Sequence, residues 1–244
     1  MKYSIAMTVG LLAVASASSV FADTNNVASV NAALTKLEAT ANYSWTVSVQ
    51  IPNSQFTPAP VTGSAEKDGY SVVASQDFNG DPVQVVFKGE KIAVKGQDGW
   101  QDIGSADGGA AMMGGILVNR GTPAAEVERL LKDAGDLSAG TNGVISGDLT
   151  PAGATDMMTF PARNENKPPP PKDSKGSVKF WLNADGTLAK FESHMDGQVA
   201  FGPGQDPQDF EIIRTVEIHD VGTTKVAIPD GAIKAIEGNA AAAK

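Results

Sequence analysis

The clearest alternation in the chain runs through residues 42–51, NYSWTVSVQI. Tyr43, Trp45, Val47, Val49 and Ile51 share one parity, and Ser44, Thr46, Ser48 and Gln50 the other. Successive side chains of a strand point to opposite faces, so this spacing predicts a strand with one apolar and one polar side. Ahead of it, Val27, Val30, Leu34 and Leu37 recur at helical spacing. They predict an amphipathic helix over 23–40, with Asn25 or Asn26 as its cap. After a loop around Pro58 and Pro60, the pairs Asp68-Gly69, Asn79-Gly80, Gly89-Glu90 and Asp98-Gly99 separate the short runs GYSVVAS, PVQVVF, KIAV and GWQDI. Asn-Gly and Asp-Gly readily adopt the positive φ that tight hairpins need, which predicts an antiparallel meander. Parallel strands would require crossover helices, for which the intervals leave no room.

The pattern then breaks. Residues 105–118 contain GGAAMMGGILV, glycine-rich, apolar and uncharged after Asp107. Thr122 and Pro123 open a predicted helix reaching Leu131 and Lys132, a polar cap followed by proline in the first turn. A shorter helix carrying Met157 and Met158 is predicted within 149–160, followed by a linker over 162–175, ARNENKPPPPKDSK, stiffened by four consecutive prolines. Alternation resumes in GSVKFWLN, with Val178, Phe180 and Leu182 on one side. Turns at Asp185-Gly186 and Asp196-Gly197, strands over 210–219 and 224–228, and a last short helix with Ile233 and Ile236 complete the pattern. Two hairpin blocks with helices before and between them predict an α+β fold. Its core is one large curved antiparallel sheet, a half-open barrel, with helices packed on its concave face.

The ends change the picture. Lys2, an apolar stretch from about Ile5 to Ala15 and the small residues leading to Val20-Phe21-Ala22 read as a signal peptide over 1–22, cleaved after Ala22. The apolar stretch is shorter than the roughly 20 residues of a spanning helix. Export would leave 222 of 244 residues as a single domain over 23–244 and, with Lys2 gone, take the formal charge from −9 to −10. The expected location is periplasmic or secreted, without a permanent membrane anchor. An acidic chain lacking a basic cluster repels nucleic acid. The chain has no cysteine, so disulfides, thiolate metal sites, cysteine nucleophiles and a lipidated N-terminal cysteine are all excluded.

Candidate chemistry is sparse. His194 and His219 fall on polar strand faces, no metal-ligand spacing occurs, and VISG around Ser146 lacks the first glycine of a nucleophile elbow. The sequence therefore predicts no catalytic, metal or cofactor-binding residue and no enzyme. Strict alternation puts Arg214 on the apolar face of its strand. Either a bulge at Ile212-Ile213 flips the register, or Arg214 sits at a cavity mouth and meets an anionic head group. Trp45 belongs with Tyr43 and Val47 on an apolar face, whereas Trp181 and Phe180 must face opposite ways. Met112, Met113, Ile116 and Leu117 ride on Gly108, Gly109, Gly114 and Gly115, either as a loop tucked on the core or as a flexible lid.

The order of elements, with the phrases LTKLEATANYSWTVSV, KDGYSVVASQ, FKGEKIAVKGQDGW, DGTLAKFESHMDGQ and TVEIHDVGTTKVAIP, resembles the bacterial lipoprotein-carrier superfamily of LolA-like and LppX-like proteins. The resemblance spans most of the chain after residue 22 in pattern. It implies a half-barrel around helices, an apolar cavity that receives acyl chains, and no catalytic residue. The missing lipobox cysteine and the tetraproline depart from that pattern. The expectation is an exported soluble protein holding a lipid, acyl chain or other apolar small molecule between sheet and helices. Its lining would be Leu34, Leu37, Trp45, Val47, Val49, Phe87, Phe180 and Leu182, with Met112, Met113 and Arg214 at the edge. The alternative is a non-enzymatic module that binds another envelope protein through a sheet edge or Trp181.

Overall fold

The computed structural model describes residues 26–242 except 53, 78, 97, 107, 160–167 and 203. The expected signal peptide and residues 162–167 of the expected linker lie outside the described residues. Eleven strands form one sheet that does not close, all neighbours antiparallel. The strands are β1 (Asn42–Gln50), β2 (Val61–Glu66), β3 (Ser71–Gln76), β4 (Pro82–Lys88), β5 (Lys91–Gly96), β6 (Gly99–Asp102), β7 (Ser138–Ala139), β8 (Val144–Asp148), β9 (Lys172–Leu182), β10 (Leu188–Val199) and β11 (Gln208–His219). Their spatial order is β6-β5-β4-β3-β2-β1-β11-β10-β9-β8-β7. The chain lays strands outward from β1, crosses over as helices, and returns until β11 zips against β1. Both edges are short, four residues at β6 and two at β7, which limits pairing with foreign strands.

The helices are α1 (Asn26–Ala39), α2 (Gly108–Val118), α3 (Pro123–Asp133), α4 (Pro151–Met158) and α5 (Asp230–Ala242). Thr122 and Thr150 cap α3 and α4, accepting from the backbone N–H groups of Ala125 and Gly153, with proline next in each case. The first four helices lie on the inner face of the sheet. The fifth lies on the opposite face. Ala232 and Ile236 of α5 pack outside, against Val72, Val86 and Ala93, whose parity is opposite to that of Val73, Val85 and Val94. Residues 224–228, read as a strand, make no ladder. Val226 and Ile228 instead pack into this outer cluster.

Two further sequence expectations are corrected. Asp196-Gly197 is no turn: β10 runs straight through it, with a register shift against β9 between Asp196 and Gln198. A Cβ at Gly197 would lie 3.0 Å from the Lys172 carbonyl oxygen, so this glycine admits a bulge. Lys172–Lys175, assigned to the linker by composition, begin β9.

The inner face is continuous. Trp45, Gly63, Val73, Val85 and Val94 stand in one cross-strand row, and Val47, Val216, Phe191, Phe180 and Ile145 in another. Gly63 is the floor under the Trp45 indole, because a Cβ there would sit 2.1 Å from Trp45 Cε2. Gly63→Ala must therefore lift the ring out of the core. The expected loss is about 1–3 kcal/mol, the usual cost of overpacking, read by urea unfolding with Trp fluorescence. A variant as stable as wild type would show that the ring has room to move.

Candidate functional site

The predicted lining residues come together, but as a packed core. Leu34, Leu37, Trp45, Val47, Phe87 and Phe180 are buried in one cluster with residues of α3 and α4, and Val49 and Leu182 pack partly buried against it. Two open surface grooves lie elsewhere. One, about 740 Å³, runs under the start of α2 beside Ala74, Val83, Gln84, Lys95 and Met113. The other, about 730 Å³, lies between Ile51, Asp173, Asp196, Phe201 and Phe210. Of the predicted lining only Met113 borders either groove. The predicted lining residues pack against one another and not against either groove.

The segment expected as a tucked loop or a flexible lid is helix α2. Its sheet-facing side carries Ala110, Met113, Leu117 and Val118 over Val83, Val85 and Val94. Gly114 lets it sit close: a Cβ there would lie 3.3 Å from Val94 Cγ2 and from Ile103 Cδ1. The opposite side is apolar too. Met112 and Ile116 are 49% and 51% exposed. A helix apolar on both sides is ordinarily buried on both. Gly114 and Gly115 each weaken the helix by about 1 kcal/mol relative to alanine, so contact with the sheet, and little else, holds it helical.

At the C-terminal end of α2 the apolar layer contains charge. The β10–β11 register runs unbroken through Ile212 and Ile213, and the β1–β11 register through Ile213, so there is no bulge and Arg214 faces inward, beside Val49 and Ser193. It donates Nε–H and Nη2–H to the two carboxylate oxygens of Glu126 on α3, at 2.8 and 2.9 Å. Glu126 is 1% exposed. Burial pushes its carboxyl up, but the charge and hydrogen bonds of Arg214, helped by Arg120 and Arg129, pull it further down, to a net position below the usual carboxylate range. Arg120 donates to the Met157 carbonyl at 2.8 Å and to its sulfur. Burial lowers the Arg120 guanidinium, Glu126 counteracts this, and the neighbouring Arg214 and Arg129 add to the lowering. Arg129 donates to the carbonyls of Asn119 and Arg120. The chain ties the end of α2, the end of α4, α3 and β11 together.

Glu126 and its two further arginines were not among the sequence candidates. Two signals pointed there. Glu126 lies three residues after buried Pro123 and four before buried Leu130, within the apolar stripe of α3. Arginine is also rare: of 19 basic residues only Arg120, Arg129, Arg163 and Arg214 are arginines.

The remaining candidates lie on the outer face. His219 is exposed, and His194 Nε2 lies 2.8 Å from Glu211 Oε1. Trp181 does face outward, where Lys190 Nζ stands 4.1 Å from its ring centre. Among the described residues no three His, Cys, Asp or Glu side chains are placed to hold a metal, and no helix is long and apolar enough to cross a membrane.

No protein-family model and no curated protein sequence matches the chain. Solved structures do match. The crystal structure of lipoprotein LppX of Mycobacterium tuberculosis superposes with a TM-score of 0.50 at 14% identity, over 85% of this chain and 100% of that chain. LprF of Mycobacterium bovis gives 0.45 at 12%, over 85% of this chain and 97% of that one. A LolA superfamily protein of Nitrosomonas europaea gives 0.34 at 10%, over 81% and 94%. The fold, a large open antiparallel sheet around helices, is LppX-like.

Proposed function

We propose that this chain is an exported, non-catalytic protein that takes up a lipid or acyl chain between its sheet and α2, and that the packed arrangement is its closed state. One observation carries the reading. Helix α2 is uncharged, glycine-weakened and apolar on both sides, and it covers a floor of Val83, Val85 and Val94. Displaced outward, it exposes that floor to an acyl chain. Each CH₂ then buried is worth roughly 0.8 kcal/mol, so a chain of ordinary length offsets the lost helix contacts. The exposed Met112 and Ile116 suit first contact with a membrane or with the ligand. The LppX-like fold agrees with the family resemblance in the sequence, which implies an acyl-receiving cavity. Its periplasmic or secreted location follows from the signal peptide reading. A protein-docking role has less support: both sheet edges are short, and Lys190 covers the Trp181 ring.

The absence of native cysteine provides the test. A Cβ at Gly114 lies 3.4 Å from Val94 Cβ, close to disulfide spacing. Gly114→Cys with Val94→Cys should, when oxidised, pin α2 to β5. The expected result is binding of a fluorescent fatty acid like that of wild type when reduced, and affinity at least about tenfold lower when oxidised. Undiminished binding by the locked form refutes α2 as the entry.

A further inference from the structure

Three of the chain's four arginines converge on one buried carboxylate. Lysine and Arg163 supply the rest of the positive charge. The concentration of guanidinium here is therefore a local feature of a chain whose overall formal charge is −9. One glutamate cannot balance three guanidiniums, and all three arginines are only half-buried, so the surplus positive charge lies where an anion can reach it. Exposed Asp156 adds only a small attraction for Arg120, below the repulsion from Arg214 and Arg129.

The hydrogen bonds leave guanidinium donors open to an incoming group. Glu126 takes two N–H groups of Arg214, and a guanidinium has five. The others meet no protein acceptor among the described residues, while the side chain keeps 17% exposure. An independent sign stands opposite. Ser193, paired in register with Arg214 on the inner face, is 0% exposed, and its hydroxyl has no hydrogen-bond partner. A buried hydroxyl left unmatched is destabilising unless something else satisfies it.

We propose that Arg214, Arg120 and Arg129, with the Ser193 hydroxyl, hold the anionic head group of the acyl ligand, a phosphate or carboxylate, beside Glu126. The proposal deepens the acyl-ligand reading above and rests on it. The head would anchor at the end of α2 while the chain runs beneath that helix. Arginine forks suit both head groups, because two parallel N–H bonds match two oxygens.

The experiment titrates the full chain with dodecyl phosphate, dodecanoate, dodecanol and inorganic phosphate by calorimetry. Dodecyl phosphate and dodecanoate should bind at least about tenfold more tightly than dodecanol. Arg129→Gln and Ser193→Ala spare the Glu126–Arg214 pair and should both fold. Each should shrink that preference several-fold. Equal affinity for the three amphiphiles overturns the head-group site and leaves the acyl reading standing. Binding of none overturns both. Inorganic phosphate binding as tightly as dodecyl phosphate overturns the lipid assignment in favour of a free anion. A preference unmoved by either substitution overturns the residues named.

Discussion

Glu126→Gln should lower the unfolding free energy by about 3–5 kcal/mol, the range found when one partner of a buried ion pair is removed. The bidentate bond from Arg214 joins α3 to β11 across the inner layer. Without the carboxylate, three half-buried guanidiniums repel one another. Arg214→Met should cost less, because Arg120 and Arg129 still attract the stranded carboxylate. The asymmetry separates a cluster from a simple pair: an isolated salt bridge would lose about as much from either side. The double substitution should recover part of the sum, as contacting residues do in a double-mutant cycle. Urea unfolding of the four proteins measures all of this. Losses under about 1 kcal/mol would mean that solvent screens the pair.

Acidity gives an independent check on the same residue. Arg214 and its neighbours hold the folded Glu126 carboxyl below its unfolded value, after overcoming the opposite effect of burial. Its contribution is therefore fully present above the ordinary carboxylate pKa of about 4.3. It is lost as pH falls through the lower folded value. Wild type and Glu126→Gln should differ most near neutrality and converge in acid.

How far the sequence reveals this arrangement depends on what each residue's neighbours do. Tyr43, Trp45, Val47 and Val49 alternate because β1 lies mid-sheet with helices on one side only, so its apolar parity is plain. β2 escapes notice: in VTGSAE only Val61 and Ala65 are apolar on that face, because Gly63 has surrendered its side chain to the Trp45 ring. β8 is short, and its register depends on β9, far along the chain. Asp196-Gly197 has turn chemistry, yet Gly197 serves close approach of β9. The glycines of α2 argue locally against helix, and packing on Val94 overrides them. Arg214 follows strict alternation, but its partner Glu126 is 88 residues away in sequence. Parity thus exposes the faces of the sheet, while contacts between distant elements, which decide the site, leave no local periodic trace.

Phe180→Ala should cost about 3–5 kcal/mol, the usual result of removing a fully buried phenyl group. Phe180 is 0% exposed and faces Phe191 on one neighbouring strand and Ile145 on the other. A ring projecting into a preformed cavity would cost much less, so the size of the loss tests whether the closed state is packed. The variant also bears on function. In wild type an acyl chain reaches the inner face only by displacing protein contacts, whereas Phe180→Ala leaves space ready. A ligand that binds only the folded form restores stability by about 2.7 kcal/mol at a hundredfold excess over its Kd. Dodecanoate should therefore raise the urea midpoint of Phe180→Ala more than that of wild type. A loss below about 1 kcal/mol would show that the inner face is not filled there. A full loss without recovery in dodecanoate would show a core that excludes acyl chains even when given room.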